Sequence, residues 1–177
     1  MKIRTTRLDL VAATLAHVEA ELRHPGELGR LLQAELPASW PPGEHDRAAM
    51  EFFRARLLED EGAAGWYGWY AVHRPERDGE AVVVGSGGYL GPPASDGSVE
   101  IGFSIAPEFQ GRGFAAEMVR ALVSRAFDAP GVDRVIAHAL STNDRSIRLL
   151  LRCGFTPAGA GGEPGTVRHE KLRPAGG

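Results

Sequence analysis

The chain has 177 residues, of which 43% are hydrophobic and 24% charged; this is globular composition with room for one ordinary core, and it excludes a disordered chain. The net charge of −3 at pH 7 leaves no basic surplus of the kind that draws nucleic acid or an anionic membrane surface. The single cysteine, Cys153, excludes an internal disulfide and suits a reducing compartment. With six scattered histidines, it also argues against a metal site built on Cys or clustered His.

Taken in order, Ile3 to Val11 reads as a first strand with Leu8 and Leu10 on one face. The apolar patch Leu10 to Leu15 is short and flanked by Asp9, His17, Glu19 and Glu21. That is too charged for a signal peptide or a membrane span, so a cytoplasmic, soluble protein is expected. Leu15 to His24 reads as a helix stopped at Pro25-Gly26, and Glu27 to Glu35 as a second short one. The three prolines of Leu36 to Gly43 make a rigid loop, and Asp46 to Glu61 follows as an amphipathic helix.

The texture then turns to β. Trp66 to His73, Ala81 to Leu90 and Ser98 to Ala106 read as three strands, with turns at Pro75 to Gly79 and Gly91 to Gly97, an antiparallel meander. Gly85, Gly87 and Gly88 inside the second of these predict a bulge or a close approach of another chain or ligand. Gly113 to Phe127 is the strongest helix, with Ala115, Met118, Val119, Leu122, Val123 and Ala126 on its apolar side. Arg134 to Leu140 is a short strand. Asn143 to Arg152 is a helix with Ile147, Leu150 and Leu151 inward, closed by Gly154. A strand begins at Phe155-Thr156, Gly159 to Gly165 is a loop, and Thr166 to Leu172 is the last strand. The order is mixed α/β, with antiparallel strands first and a β-α-β-α-β finish.

Between the third meander strand and the strongest helix lies Gln110-Gly111-Arg112-Gly113-Phe114-Ala115. Strand, glycine-bearing loop and helix start form a phosphate cradle. Gly111-x-Gly113-x-x-Ala116 meets the letter of the dinucleotide fingerprint. However, five residues (107 to 111) precede Arg112, and the next strand ends Ala139-Leu140-Ser141-Thr142 without an acid. A P-loop is excluded because no Lys-Ser/Thr pair follows the glycines.

Gln110-x-x-Gly113-x-Ala115, followed about 30 residues later by Asn143-x-x-Ser146 and Arg152-Cys153-Gly154-Phe155, resembles the Gcn5-related N-acetyltransferase superfamily. The opening Thr6-Arg7-Leu8-x-Leu10 is similar to the first strand of its subgroup that acetylates ribosomal-protein N-termini. The resemblance implies an α/β acyl-CoA N-acyltransferase fold over residues 1–177 as one domain. Its antiparallel N-terminal strands are joined to a splayed parallel central pair, here Val99 to Ala106 and Arg134 to Leu140. It also implies acetyl-CoA as co-substrate and no metal.

Coenzyme A carries a pyrophosphate. Backbone N–H groups from Gly111 to Ala115, through Arg112, Gly113 and Phe114, can donate to it while the helix dipole adds partial positive charge. The Arg112 side chain either pairs with a phosphate or is solvated. By resemblance, the pantetheine pairs with the backbone of Phe103, Ser104 and Ile105, and Asn143 bonds the cofactor arm; Asn143 also suits a plain helix N-cap. An amine must lose a proton before it attacks a thioester, and the candidate base is Glu100, on the strand face of Gly102 and Ser104. Many members of the superfamily carry a tyrosine where this chain has Leu150, so Ser146 or water is left to protonate the thiolate. Cys153, at a helix C-terminus, reads as a core residue, and His138 as strand packing.

The expected acceptor is a protein N-terminal α-amine, set between the N-terminal helices and the first hairpins, where Trp40, Trp66, Tyr67, Trp69, Tyr70 and Tyr89 are candidate wall or core residues. A small-molecule amine, an acyl group other than acetyl, a non-catalytic acyl-CoA-binding module and a homodimer stand as alternatives left open.

Overall fold

The computed structural model describes residues 1–43, 45–75 and 79–175. Its strands are β1 (Lys2–Arg4), β2 (Leu8–Ala12), β3 (Gly68–His73), β4 (Val82–Tyr89), β5 (Ser98–Ile105), β6 (Arg134–Leu140), β7 (Thr156–Ala160) and β8 (Thr166–Leu172). Its helices are α1 (Leu15–Arg23), α2 (Pro25–Leu32), α3 (Arg47–Glu59), α4 (Phe114–Asp128) and α5 (Asp144–Arg152). The strands line up in one mixed sheet in the order β1-β2-β3-β4-β5-β6-β8-β7. Every neighbouring pair is antiparallel except β5 and β6.

Side-chain alternation divides the two faces. On β2, Leu8, Leu10 and Ala12 are buried on one side, and α4 lays Met118, Val119, Leu122, Val123 and Ala126 on that same core. Each of the Leu, Met and Val side chains among them contributes about 1.5–3 kcal/mol by leaving water. A second core on the opposite face joins Val18, Leu28, Met50 and Leu57 of α1–α3 to Tyr70, Val72 and Val83. The bulge expected in β4 is present: Ala71 pairs with Gly85 but Val72 with Val83, leaving Val84 as the extra residue. Gly85 lies hard against the Ser104 carbonyl, with no space for a Cβ.

Several boundaries differ from the sequence expectation. Ile3 to Val11 is two strands, not one. The Thr5 N–H donates to the Leu8 carbonyl at 2.9 Å and the Leu8 N–H to Thr5 Oγ1 at 3.0 Å, so a side-chain-braced turn folds β1 back on β2. The second helix starts at Pro25 rather than Glu27, because proline suits the first helical position and His24 Nδ1 accepts the Gly26 N–H at 3.2 Å. It ends at Leu32, before Gln33 turns left-handed at φ 52°. The third strand begins at Gly68, after a tight turn in which the Trp66 N–H donates to the Ala63 carbonyl. Leu151 is exposed, whereas Leu150 is fully buried. The Pro75 to Gly79 turn falls largely on residues 76–78, outside the described ones. Among the described residues no helix is long and apolar enough to cross a membrane.

Candidate active site

Strands β5 and β6 run parallel for only three residue pairs, Ser98 with Arg134, Val99 with Val135 and Glu100 with Ile136. Beyond Glu100, β5 keeps β4 as its partner through Ile105, and β6 keeps β8 through Leu140. The edges that face each other, Gly102–Ile105 and Ala137–Leu140, therefore have no ladder partner across the gap among the described residues. Unpaired backbone N–H and C=O groups along a strand edge are a template for an extended ligand.

The cradle closes one end of this gap. Gly111 and Gly113 have φ of 77° and 83°, left-handed values that a Cβ disfavours, and they turn the chain into α4. Among the described residues, the N–H groups of Gly111, Arg112, Gly113, Phe114 and Ala115 meet no acceptor, and the N-cap Gly113 has no side chain to cap them. These are orphan donors at the positive end of a 15-residue helix.

The loop is held by residues distant in sequence. Arg7 donates from Nη1 to the Arg112 carbonyl at 2.9 Å and from Nε to Glu117 Oε2 at 2.8 Å, and its guanidinium lies 4.6 Å from the Phe114 ring centre. Glu117 Oε1 also accepts from the Arg7 N–H at 2.7 Å and from Thr5 Oγ1 at 2.6 Å. Burial pushes the Glu117 carboxyl up, but the bonds from Thr5 and Arg7 outweigh it, and its pKa lies below the usual range. Gln110 donates to the Ile105 carbonyl at 2.9 Å and accepts from Arg145 of α5, so its side chain ties the loop to β5 and α5. The Arg112 side chain is exposed beside Phe109. Phe114 is buried, so only its backbone faces the loop.

Phe103 and Ser104 are half-buried and Ile105 is buried. Strand alternation turns the backbone groups of Phe103 and Ile105 to the gap, whereas the Ser104 carbonyl faces Gly85 of β4, so the expected backbone role falls to Phe103 and Ile105 and not to Ser104. Asn143 caps α5 by accepting the Ser146 N–H at 3.1 Å, which leaves its amide N–H groups unbonded within the described residues. The Ser146 hydroxyl makes no hydrogen bond back to its own helix among the described residues. Glu100 stands where the pairing ends, and Oε1 lies 2.8 Å from His138 Nδ1. The sequence expectation treated His138 as strand packing and missed this pairing, which follows from the register of β5 on β6. Cys153 behaves as expected: it is buried, and burial pushes its thiol up against the opposing pull of Arg120 and Lys171.

On the same face, the loop before α3 reaches the gap. Gly43 packs on the Ser104 hydroxyl so closely that a Cβ has no space, and Ser39 donates to Glu108 Oε2 at 2.5 Å. Glu21, buried, anchors this loop by accepting from Trp40 Nε1 at 2.7 Å, Tyr70 Oη at 2.7 Å and His45 Nε2 at 3.0 Å. Burial raises the Glu21 pKa, but these bonds bring it below the usual carboxylate range; burial and Glu21 push Tyr70 well up. Of the aromatic candidates, Trp69, Tyr70 and Tyr89 are core side chains, and Trp40 is the one tied to the loop.

A mixed sheet that splays at one parallel pair, with an uncapped glycine loop at the mouth, defines an acyltransferase architecture. Residues 7–156 match the family described as acetyltransferase (GNAT) domain, and the chain belongs to that family and is an acetyltransferase. It is 26% identical over 153 residues to the uncharacterized N-acetyltransferase YjdG of Bacillus subtilis, covering 86% of this chain and 88% of that one. Its fold is similar to the ribosomal-protein-S5-alanine acetyltransferase of Vibrio fischeri, with a TM-score of 0.65, 17% identity, and 97% of this chain and 96% of that one covered. It is also similar to the microcin C7 self-immunity acetyltransferase MccE, solved with acetyl-CoA and AMP, with a TM-score of 0.64, 16% identity, and 96% and 94% covered.

Proposed function

We propose that the protein moves the acetyl group of acetyl-CoA to a primary amine by direct attack, and that the acceptor is a protein N-terminal α-amine. The observation that carries this reading is the β5 edge from Gly102 to Ile105, left without a partner by β6 and leading straight to the free N–H groups of Gly111 to Ala115. A pantetheine arm bonded to the Phe103 backbone and the Ile105 N–H brings its pyrophosphate to that cradle. Hydrogen bonds to a charged group contribute roughly 1.5–3 kcal/mol each, so a few of them give useful affinity. Arg112 is free to meet a phosphate, and the unbonded amide of Asn143 faces the other lip of the gap.

The thioester supplies the activated acyl group. The amine adds to its carbonyl carbon, the C–N bond forms, the C–S bond breaks and the thiolate leaves. Glu100, paired with His138, belongs to the group that takes the proton from the amine, and Ser146 or water returns one to the thiolate. An α-amine of pKa about 8 is roughly a tenth neutral at pH 7, against less than a thousandth for lysine, so an α-amine asks least of the base. Cys153 takes no acyl group, because it is buried and its thiol is held protonated. The alanine-acetylating likeness of the fold favours a peptide; the AMP-bound neighbour keeps a small-molecule amine as the second reading.

The test is CoA release from acetyl-CoA with peptides beginning Ser, Ala or Met, set beside small primary amines. Turnover concentrated on the peptides supports the proposal. Turnover on the amines alone moves the protein to the second reading. Binding of CoA with no release for any acceptor makes it a binding module.

A further inference from the structure

Glu100 and His138 sit on different strands, 38 residues apart, and meet because the β5–β6 register makes them diagonal neighbours at the last residue pair of the ladder. Ile136 pairs with Glu100 and His138 is two residues further along β6, so both side chains lie on one sheet face. His138 therefore stands on the lip of the gap opposite Gly102 and Ser104. Its side chain is 26% exposed, and Nε2 has no hydrogen-bond partner among the described residues. The charged groups that flank it on this face are Arg168, its register partner on β8, and Glu170, which lies 3.5 Å from Arg168 Nη2.

We infer that His138 Nε2 is the atom that receives the amine proton, and that Glu100 is the positioning residue that holds the imidazole in the tautomer able to do so. This rests on the acetyl-transfer reading above. A carboxylate only accepts, so the 2.8 Å contact puts the hydrogen on Nδ1 and leaves the lone pair on Nε2. The ammonium form of the acceptor gives H⁺ to Nε2, directly or through one water. The imidazolium formed is stabilised by Glu100 across Nδ1–H, and the neutral amine attacks. A ring held by Glu100 through Nδ1–H turns its basic nitrogen, Nε2, away from the carboxylate and toward the gap, the arrangement of a base with an orienting partner.

Two variants separate base from scaffold. His138→Asn keeps an N–H donor near the Nδ1 position and removes the basic nitrogen, and His138→Ala opens room for added imidazole. With acetyl-CoA and the peptide panel, both are expected to lose about 100-fold or more in kcat, the range of general base catalysis, with KM for acetyl-CoA within about threefold. Added imidazole is expected to restore part of the loss in His138→Ala and none in His138→Asn. Retention of more than about a third of kcat in His138→Asn overturns the assignment. Nitrogen NMR of the wild-type protein decides the pairing without any acceptor: an Nδ1–H tautomer at His138 supports it, and an Nε2–H tautomer sinks it. If the wild-type protein turns over no amine, acetyl transfer fails as a function, while the tautomer still decides the pair.

Discussion

Gly113 stands at φ 83° where the chain turns into α4, and a Cβ there comes within 3.3 Å of Arg7 Nη2. The residue therefore serves two needs at once: a left-handed turn, and a bare backbone for a phosphate to approach. Gly113→Ala is expected to cost about 1–2 kcal/mol from the left-handed conformation. For a chain of this length that lowers Tm by a few degrees, about 2–4 °C per kcal/mol. It is also expected to weaken acetyl-CoA binding about tenfold, because strain at the left-handed turn and the push on Arg7 disturb the aim of the loop N–H groups. Thermal melts and isothermal titration check the two effects separately, and unchanged affinity would remove the cradle role. The pairing of Glu100 and His138 belongs to the same scale, but neither residue carries a local signature of it; 38 positions of sequence lie between them.

At the scale of elements, the hairpin of β1 and β2 is fastened to the start of α4 through Glu117. Three donors from Thr5 and Arg7 converge on one carboxylate, and Arg7 continues to the Arg112 carbonyl. These bonds outweigh the burial that raises the Glu117 pKa, so the folded value lies below the unfolded one. The stabilisation is then complete above the ordinary carboxylate value of about 4.3 and is lost as pH falls through the lower folded value. Glu117→Gln is expected to lower the urea midpoint at pH 7, and the gap to the wild-type protein is expected to narrow progressively as pH falls below the ordinary carboxylate value. A gap that does not narrow at all with acid would mean that the carboxylate charge is not what holds the two elements. The glutamine motif reads differently at this scale as well. Gln110 spends its amide on the Ile105 carbonyl and on Arg145, which fixes the loop between β5 and α5, so the motif's glutamine shapes the cradle from behind.

At the scale of the whole molecule, the sheet is two halves that meet over three residue pairs between β5 and β6. The first half is covered on one face by α1–α3, and α4 packs across the other. A ligand inserted in the gap adds backbone pairing where the sheet has none and joins the halves. Acetyl-CoA at a hundred times its Kd is expected to stabilise the fold by about 2.7 kcal/mol. This raises Tm by about 5–10 °C at 2–4 °C per kcal/mol. Differential scanning calorimetry with and without acetyl-CoA reads this directly, and no shift at saturating concentration would contradict the proposed seat of the cofactor.

The sequence by itself determined the elements and their order. Apolar periodicity marks α4, short runs rich in apolar residues mark β5 and β6, the residues of Asn143 to Gly154 mark a capped and terminated α5, and the separated strand and missing acid around Gly111 and Gly113 argue against a dinucleotide loop. These are local signals, set by the 3.6- and 2-residue periods and by glycine's freedom of φ. The tertiary structure alone decided the contacts that the chain makes over long separations. The fold of β1 back on β2, the clasp of Arg7 on Glu117, the anchoring of the Gly43 loop by buried Glu21, and the meeting of His138 with Glu100 are of this kind. No period in a sequence encodes where two parallel strands stop pairing. That point belongs to the assembled sheet, and the β5–β6 register there places a histidine read as strand packing beside Glu100.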